Sequence, residues 1–200
     1  MKAIVVEMAA TATRNSQLRA VTLILVVPLW ITACATLNEA QCETANWQDL
    51  GQRNGQQGRP ASYVAEHEKA CSGYGLPVDS TAWRAGWETG IRQYCTVENG
   101  LQVGRDGAHY AQSCPADVAP GFLRGYTVGE RVHAARVDRD LVRDAIDSLT
   151  TSIVDASDAT KRSDLQTQLL LKQTELMIAE ARLLDAERAA DAILYSSPTY

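Results

Sequence analysis

The residues of this 200-residue chain best suited to chemistry are its five cysteines, Cys34, Cys42, Cys71, Cys95 and Cys114. A thiol can ligate a metal, attack a carbonyl, carry a lipid or pair with a second thiol. No two of these cysteines have the Cys-x-x-Cys spacing of zinc and redox motifs, so neither metal binding nor a catalytic thiol is indicated. His67, His109 and His133 are the only histidines. His67 lies between Glu66 and Glu68 with Tyr63 one helical turn before it, which reads as a solvated or capping side chain. There is no Gly-x-Ser-x-Gly elbow and no His-Glu-x-x-His helix. The expectation is a non-enzyme with no catalytic residue, metal or cofactor.

Cys34 stands apart from the other four. It follows an apolar run, Ala20 to Ile31, that holds one Pro, one Thr and no charge, with Arg14 and Arg19 just before it. About a dozen apolar residues are too few to span roughly 30 Å of hydrocarbon as a helix. A basic start, a short apolar run and small residues before a break describe a secretory signal. Met8 would serve as a start as well as Met1 and would remove Glu7, unusual in such a signal. The ending Ile31-Thr32-Ala33-Cys34 resembles the lipobox of bacterial lipoproteins. That resemblance implies removal of residues 1–33 and a mature N-terminus at Cys34, with diacylglycerol on sulfur and palmitate as an acyl chain. Ala35 is not the Asp of inner-membrane retention. The expected location is therefore the cell envelope, at the outer membrane facing the periplasm.

Losing the signal removes Lys2, Arg14 and Arg19 from 19 basic residues, and Glu7 from 24 acidic ones. The mature chain keeps 16 basic and 23 acidic residues, a net of −7. That balance disfavours nucleic acid, which calls for a basic patch, and electrostatic adhesion to anionic lipid. The N-terminal lipid would supply the membrane contact. It also leaves an even set of four cysteines in an exported protein, the pattern of a disulfide framework.

The chain contains a duplication. The first unit runs Cys42, then Gly51, Gly55 and Gly58, then Cys71, then Trp83, Gly86, Trp87, Gly90 and Arg92. The second runs Cys95, then Gly100, Gly104 and Gly107, then Cys114, then Phe122, Gly125, Tyr126, Gly129 and Arg131. Tyr110 precedes Cys114 as His67 precedes Cys71. Equivalent closures would be Cys42–Cys71 and Cys95–Cys114, with the crossed pairings still open. Each would be worth roughly 3 kcal/mol in the chain-entropy picture. Glycines four apart line one face of a helix, and each costs about 1 kcal/mol there relative to Ala. The gain that offsets this cost is close helix–helix approach. The triplets lack the strand and the Gly-Lys-Ser/Thr ending of phosphate loops.

The elements that carry these residues read as helices near Ala45–Gln57, Ala61–Cys71, Ser80–Tyr94 and Val97–Val103. Asp79 or Ser80, and Thr96, are suited to cap the last two. No segment alternates long enough to be a secure strand. From Val132 to Leu194 there is no Gly, Pro or Cys. Val142, Ile146, Leu149 and Ile153 form one apolar seam; Leu165, Leu169, Leu176 and Leu183 form another in a different register. The polar break at Asp155–Ser163 favours a helical hairpin over one long helix, with Ser163 and Gln166 as a capping box. Leu170, Met177 and Leu184 widen the second seam, so that helix calls for burial on more than one side. The expected fold is all-α: a disulfide-stapled Gly/aromatic repeat unit (34–131), a coiled-coil-like tail (132–194) and a disordered end (195–200). The repeat unit should close on itself without the residues after about Asp140.

Together, Cys42, Trp47, Gly51, Gly55, Gly58, His67, Cys71, Tyr94, Cys95, Gly100, Gly104, Gly107, Tyr110 and Cys114, behind the lipobox, resemble a family of short bacterial lipoproteins catalogued as a domain of unknown function. The chain departs from that pattern at Trp83, where Tyr is expected, and at Asn54, where an acid is common. The resemblance implies an exported, lipid-anchored protein and brings no catalytic residues. The expected role is a structural or protein-interaction element of the envelope, with a protein partner or self-association through the tail. The alternative is a glycan- or peptide-binding module using Trp47, Trp83, Trp87, Tyr94, Tyr110 and Tyr126 as a ligand face.

Overall fold

The computed structural model describes residues 36–196, with side chains to 195. Cys34, the signal segment 1–33 and residues 197–200 lie outside the described residues. All regular elements among the described residues are helical: α1 (Glu39–Thr44), α2 (Trp47–Gln56), a 3-10 turn (Ala61–Tyr63) leading into α3 (Val64–Ser72), α4 (Ser80–Tyr94), α5 (Val97–Arg105), α6 (Ala119–Asp155) and α7 (Ala159–Ser196). The disulfides are Cys42–Cys71, joining α1 to α3, and Cys95–Cys114, joining the end of α4 to the loop before α6. The caps are local and polar. Asp79 accepts from the Ala82 N–H and Thr96 from the Asn99 N–H, which satisfies helix N–H groups that have no partner within the helix.

Two helix pairs form the repeats: α2 with α4, and α5 with α6. In each, glycines set the separation. A Cβ at Gly51 would run into the Trp83 carbonyl, at Gly55 the Trp87 carbonyl, at Gly86 the Gln48 carbonyl and at Gly90 the Gln52 carbonyl. In the second pair the matching obstacles are the carbonyls of Phe122 for Gly100, Tyr126 for Gly104, Val97 for Gly125 and Leu101 for Gly129. Every one of these contacts would fall well inside 3.0 Å, and every obstacle is backbone. The glycine Cα–H groups thus point at carbonyl oxygens across the crossing, a weak hydrogen bond that recurs at close helix interfaces.

The third glycine of each triplet does different work. Gly58 and Gly107 have φ of +70° and +64° and end α2 and α5. Arg59 N–H donates to the Asn54 carbonyl and Gly58 N–H to the Gly55 carbonyl. Ala108 N–H and Gly107 N–H repeat this with Val103 and Gly104. This is the Schellman termination, which needs a left-handed residue after the cap.

The structure redraws the sequence expectations in four places. α1 was not anticipated; Asn38 and Gln41 form a capping box around its start. The helical tail is not a separate piece after residue 131, because α6 runs unbroken from the second repeat to Asp155. It then turns at residues 156–158 and returns as α7, antiparallel to it. Asp158, not Ser163, opens α7, accepting from the Lys161 N–H at 2.8 Å. Tyr195 and Ser196 belong to α7 rather than to an irregular end.

The hairpin is held to the second repeat. Leu101 of α5, Val132 of α6 and Ala190 of α7 form one buried cluster, with Leu183, Ala186 and Ile193 packed on it. Glu187 bridges Arg105 and Arg136. Burial disfavours its charge, but the Arg136 and Arg105 guanidiniums outweigh that and hold the carboxyl below its usual range. Arg143 pairs with Glu180 in the same register, which sets Leu149 opposite the turn between Leu169 and Leu176. Truncation after Asp140 would therefore strip α7 from the second repeat and expose Leu101 and Val132.

Gly90→Ala should cost about 3 kcal/mol or more, because the Gln52 backbone cannot yield to the new methyl. Gly121 meets only the Val97 side chain, at 3.6 Å. Gly121→Ala should therefore gain up to about 1 kcal/mol from helix propensity alone. Urea unfolding of the oxidised protein reads both. Equal effects of the two substitutions would contradict the interlocked crossing.

Candidate functional site

The polar group buried deepest in the repeats is built on Asn54, on the inner face of α2. Its Oδ1 accepts from Trp83 Nε1 of α4 at 3.0 Å and lies 2.8 Å from His67 Nε2 of α3. Trp83, His67 and Asn54 are 0%, 2% and 6% exposed. Two donors on one atom make that atom the amide oxygen and make Nε2 the protonated ring nitrogen. The other ring nitrogen, Nδ1, lies 2.9 Å from Thr36 Oγ1, which is also 3.1 Å from the Glu66 carbonyl. The hydroxyl has one hydrogen. With a neutral imidazole it donates to Nδ1. With an imidazolium, Nδ1–H donates to the hydroxyl, which turns to the Glu66 carbonyl.

His67 is thus not the solvated side chain expected from its glutamate neighbours. It faces inward, edge-on to Tyr63 at 5.2 Å and between Trp47 and Trp83. Burial pulls its pKa below the ordinary 6.5, while the Glu66 carboxylate pushes it back up. Its hydrogen-bond partners are the Asn54 amide oxygen and the Thr36 hydroxyl. Among the described residues no group of three or more His, Cys, Asp or Glu side chains could hold a metal ion.

The second repeat fills the same place with rings and a valine, and the hydroxyl of Tyr110 accepts from the Cys114 N–H at 3.0 Å. Helix-to-helix correspondence, fixed by the glycine contacts, sets Val103 at the position of Asn54 and Phe122 at that of Trp83. Tyr110, matched to His67, packs on Phe122 at 4.6 Å. The ring pairs also match: Trp83 on Trp87 at 6.4 Å, and Phe122 on Tyr126 at 6.0 Å, both stacked. Trp87 Nε1 donates to the Arg59 carbonyl, and Tyr126 Oη donates to the Ala108 carbonyl at the matching place. Where the Trp and His donors are present, the acceptor is Asn54; where they are absent, the position is Val. The two departures from the family pattern, Asn54 and Trp83, are hydrogen-bonded to each other. Their polar pairing could not be read from either residue alone.

These contacts place the six aromatics considered as a ligand face. Trp83, Trp87 and Tyr110 are buried; Trp47, Tyr94 and Tyr126 are half-buried. Tyr94 stacks on Phe122 at 5.2 Å, tying the first repeat to the second. It also lines a shallow groove of about 410 Å³ with Arg59, Pro60 and His109. The rings do not form a continuous open shelf.

The broad open surface is on the hairpin. Leu141, Leu170, Leu171, Met177, Ile178 and Leu184 are each at least half exposed, Leu170 at 65%. Among the described residues no helix is long and apolar enough to cross a membrane.

Residues 46–131 match the model of a family described as a protein of unknown function (DUF2799). The matched segment covers α2 through the start of α6, the two interlocked repeats. The resemblance to a family catalogued as a domain of unknown function therefore holds over that segment. No curated protein and no solved structure matches the chain.

Asn54→Val should leave the Trp83 and His67 N–H groups without an acceptor and cost about 2–4 kcal/mol. Adding Trp83→Phe and His67→Tyr, the residues of the second repeat, should recover at least half of that loss. No recovery in thermal unfolding would contradict the pairing. The parent protein should also lose stability as pH falls below 6.5. The folded pKa of His67 is depressed, so its unfolded form takes up the proton first. His67→Gln should flatten that part of the profile.

Proposed function

We propose that this protein is a lipid-anchored element of the cell envelope that presents its helical hairpin for protein–protein contact. The observation that carries the proposal is the continuity of α6. Its first turns are locked into the second repeat through Gly125 and Gly129, and its 37 residues extend about 55 Å at 1.5 Å per residue. A helix clamped at one end, with the exposed apolar residues Leu170, Leu171, Met177, Ile178 and Leu184 of α7 packed along it, is suited to carry a contact surface away from a fixed base. The lipobox-like ending at Cys34 supports the anchor. Four cysteines paired as two disulfides fit an oxidising compartment, and Ala35 favours the outer membrane. Thr36, two residues from Cys34, is hydrogen-bonded to His67 and Glu66, which would tie the anchored end to the first repeat.

Cells fed a labelled fatty acid should label the protein, and Cys34→Ser should abolish the label. A photo-crosslinking amino acid in place of Met177 should trap a protein adduct in the cell, whereas one in place of Thr89, on the outer surface of α4, should not. Label persisting in Cys34→Ser contradicts the anchor. Adducts forming equally from both positions contradict the hairpin as the contact element.

A further inference from the structure

We propose that the groove between α6 and α7 is the docking site for an acidic amphipathic helix of another protein. The proposal rests on reading the hairpin as the contact element and names the chemistry of its partner. Three hollows of about 490, 280 and 430 Å³ run end to end between the two helices. The first two share Arg131; the last two share Asp138, Ala179 and Arg182. On α6 the lining runs from Pro120 to Val142, about 33 Å or about six turns. On α7 it lies on the opposite side of the helix from Met177. The floor is alanine, Ala134 and Ala135 of α6 with Ala179 and Ala186 of α7, small enough to admit a third helix. Both walls are helices whose backbone groups are bonded internally. An extended peptide laid between them would bury N–H and C=O groups without partners. A helix satisfies its own.

Charge selects the occupant. Arg124 and Arg131 line the groove from the α6 wall and Arg182 from the α7 wall, and all three are exposed. Among the described residues none of the three has an ion-pair partner within the chain. The duplication sharpens the point. Arg92, the counterpart of Arg131 in the first repeat, pairs with Asp117 at 2.7 Å. Arg131 has no such acid and lines the groove instead. Of the two acids in the lining, Glu175 is held by Lys172. That leaves Asp138 against three arginines, in a chain that is acidic as a whole. The complement is an apolar stripe with Asp or Glu on both flanks, one flank for each wall. Such pairing selects the partner and sets its register more than it adds affinity. An anionic lipid surface fits less well. The arginines rim a recess, and the hairpin around them carries Glu180 and Asp185, the wrong sign for that surface.

The test places a photo-crosslinking amino acid at Thr127, between Arg124 and Arg131 in the groove lining, in the full-length protein in the cell. The peptide joined to it is then sequenced. The expected adduct is a segment of another protein whose apolar residues recur every three or four positions, with Asp or Glu on both flanks. Arg131→Glu together with Arg182→Glu should cut the yield at least tenfold, whereas Arg131→Lys together with Arg182→Lys should keep most of it. An unchanged yield in the Glu pair, or an equal loss in the Lys pair, would overturn selection by charge. A lipid adduct, a peptide of this chain itself or a segment without acids would overturn the occupant. No adduct at Thr127, while a crosslinker at Met177 still traps a protein, would overturn the groove but leave the hairpin as a contact element. No adduct from either position would overturn both.

Discussion

The contact of glycine Cα atoms with backbone carbonyls across two helix crossings is the constraint on which the rest of this structure depends. It places α2 on α4 and α5 on α6 close enough that a single added methyl would strike backbone. Side chains contribute little to the crossing itself, because there is no room for them. They are displaced to its flanks, where Trp83, Trp87, Phe122 and Tyr126 cover the groove. So few large residues make a small core, and small units of this kind gain from covalent closure. Cys42–Cys71 and Cys95–Cys114 supply it, one for each repeat.

The two repeats keep the same backbone solution while filling the space beneath it differently. The first buries a histidine, an asparagine and a tryptophan N–H in one satisfied network. The second sets Phe122, Tyr110 and Val103 in the equivalent places, with no donor aimed at the position of Asn54. A buried donor is tolerated only with its acceptor, so Asn54, His67 and Trp83 act as a set. The polar set also reaches outward through Nδ1 to Thr36, which nothing in the second repeat imitates. The asymmetry gives the first repeat a link to the N-terminal segment and leaves the second free to bind α7 through Leu101 and Arg105.

Much of this was legible in the sequence because it is written in spacing. Glycines four apart announced helix crossings, the order of cysteines and glycines announced the duplication, and the shift in register between Ile153 and Leu165 announced the hairpin turn. What depends on tertiary contact was not legible. His67 between two glutamates reads as exposed, and only the packing of α2 and α4 against it shows that it faces inward. Loss of glycine after Gly129 reads as a domain boundary. It marks instead the point where α6 leaves the tight crossing and continues as the same helix. The return of Ala190 to Leu101 was hidden because alanine in a seam gives no signal of which helix it meets. The anchor proposed at Cys34 falls on a residue outside the described structure.

The interlocked glycines and the hairpin make one mechanical claim: the tip of the hairpin is held at a fixed distance from the first repeat. The most direct test is a pulsed electron spin resonance distance measurement between labels at Glu88 on α4 and Ser157 at the hairpin tip, in a Cys34→Ser protein with both disulfides intact. A single narrow distance distribution, broadened when Gly129→Ala disturbs the second crossing, is the predicted result. A broad distribution in the parent protein would contradict the account, because α6 would then be a tether rather than a rigid support.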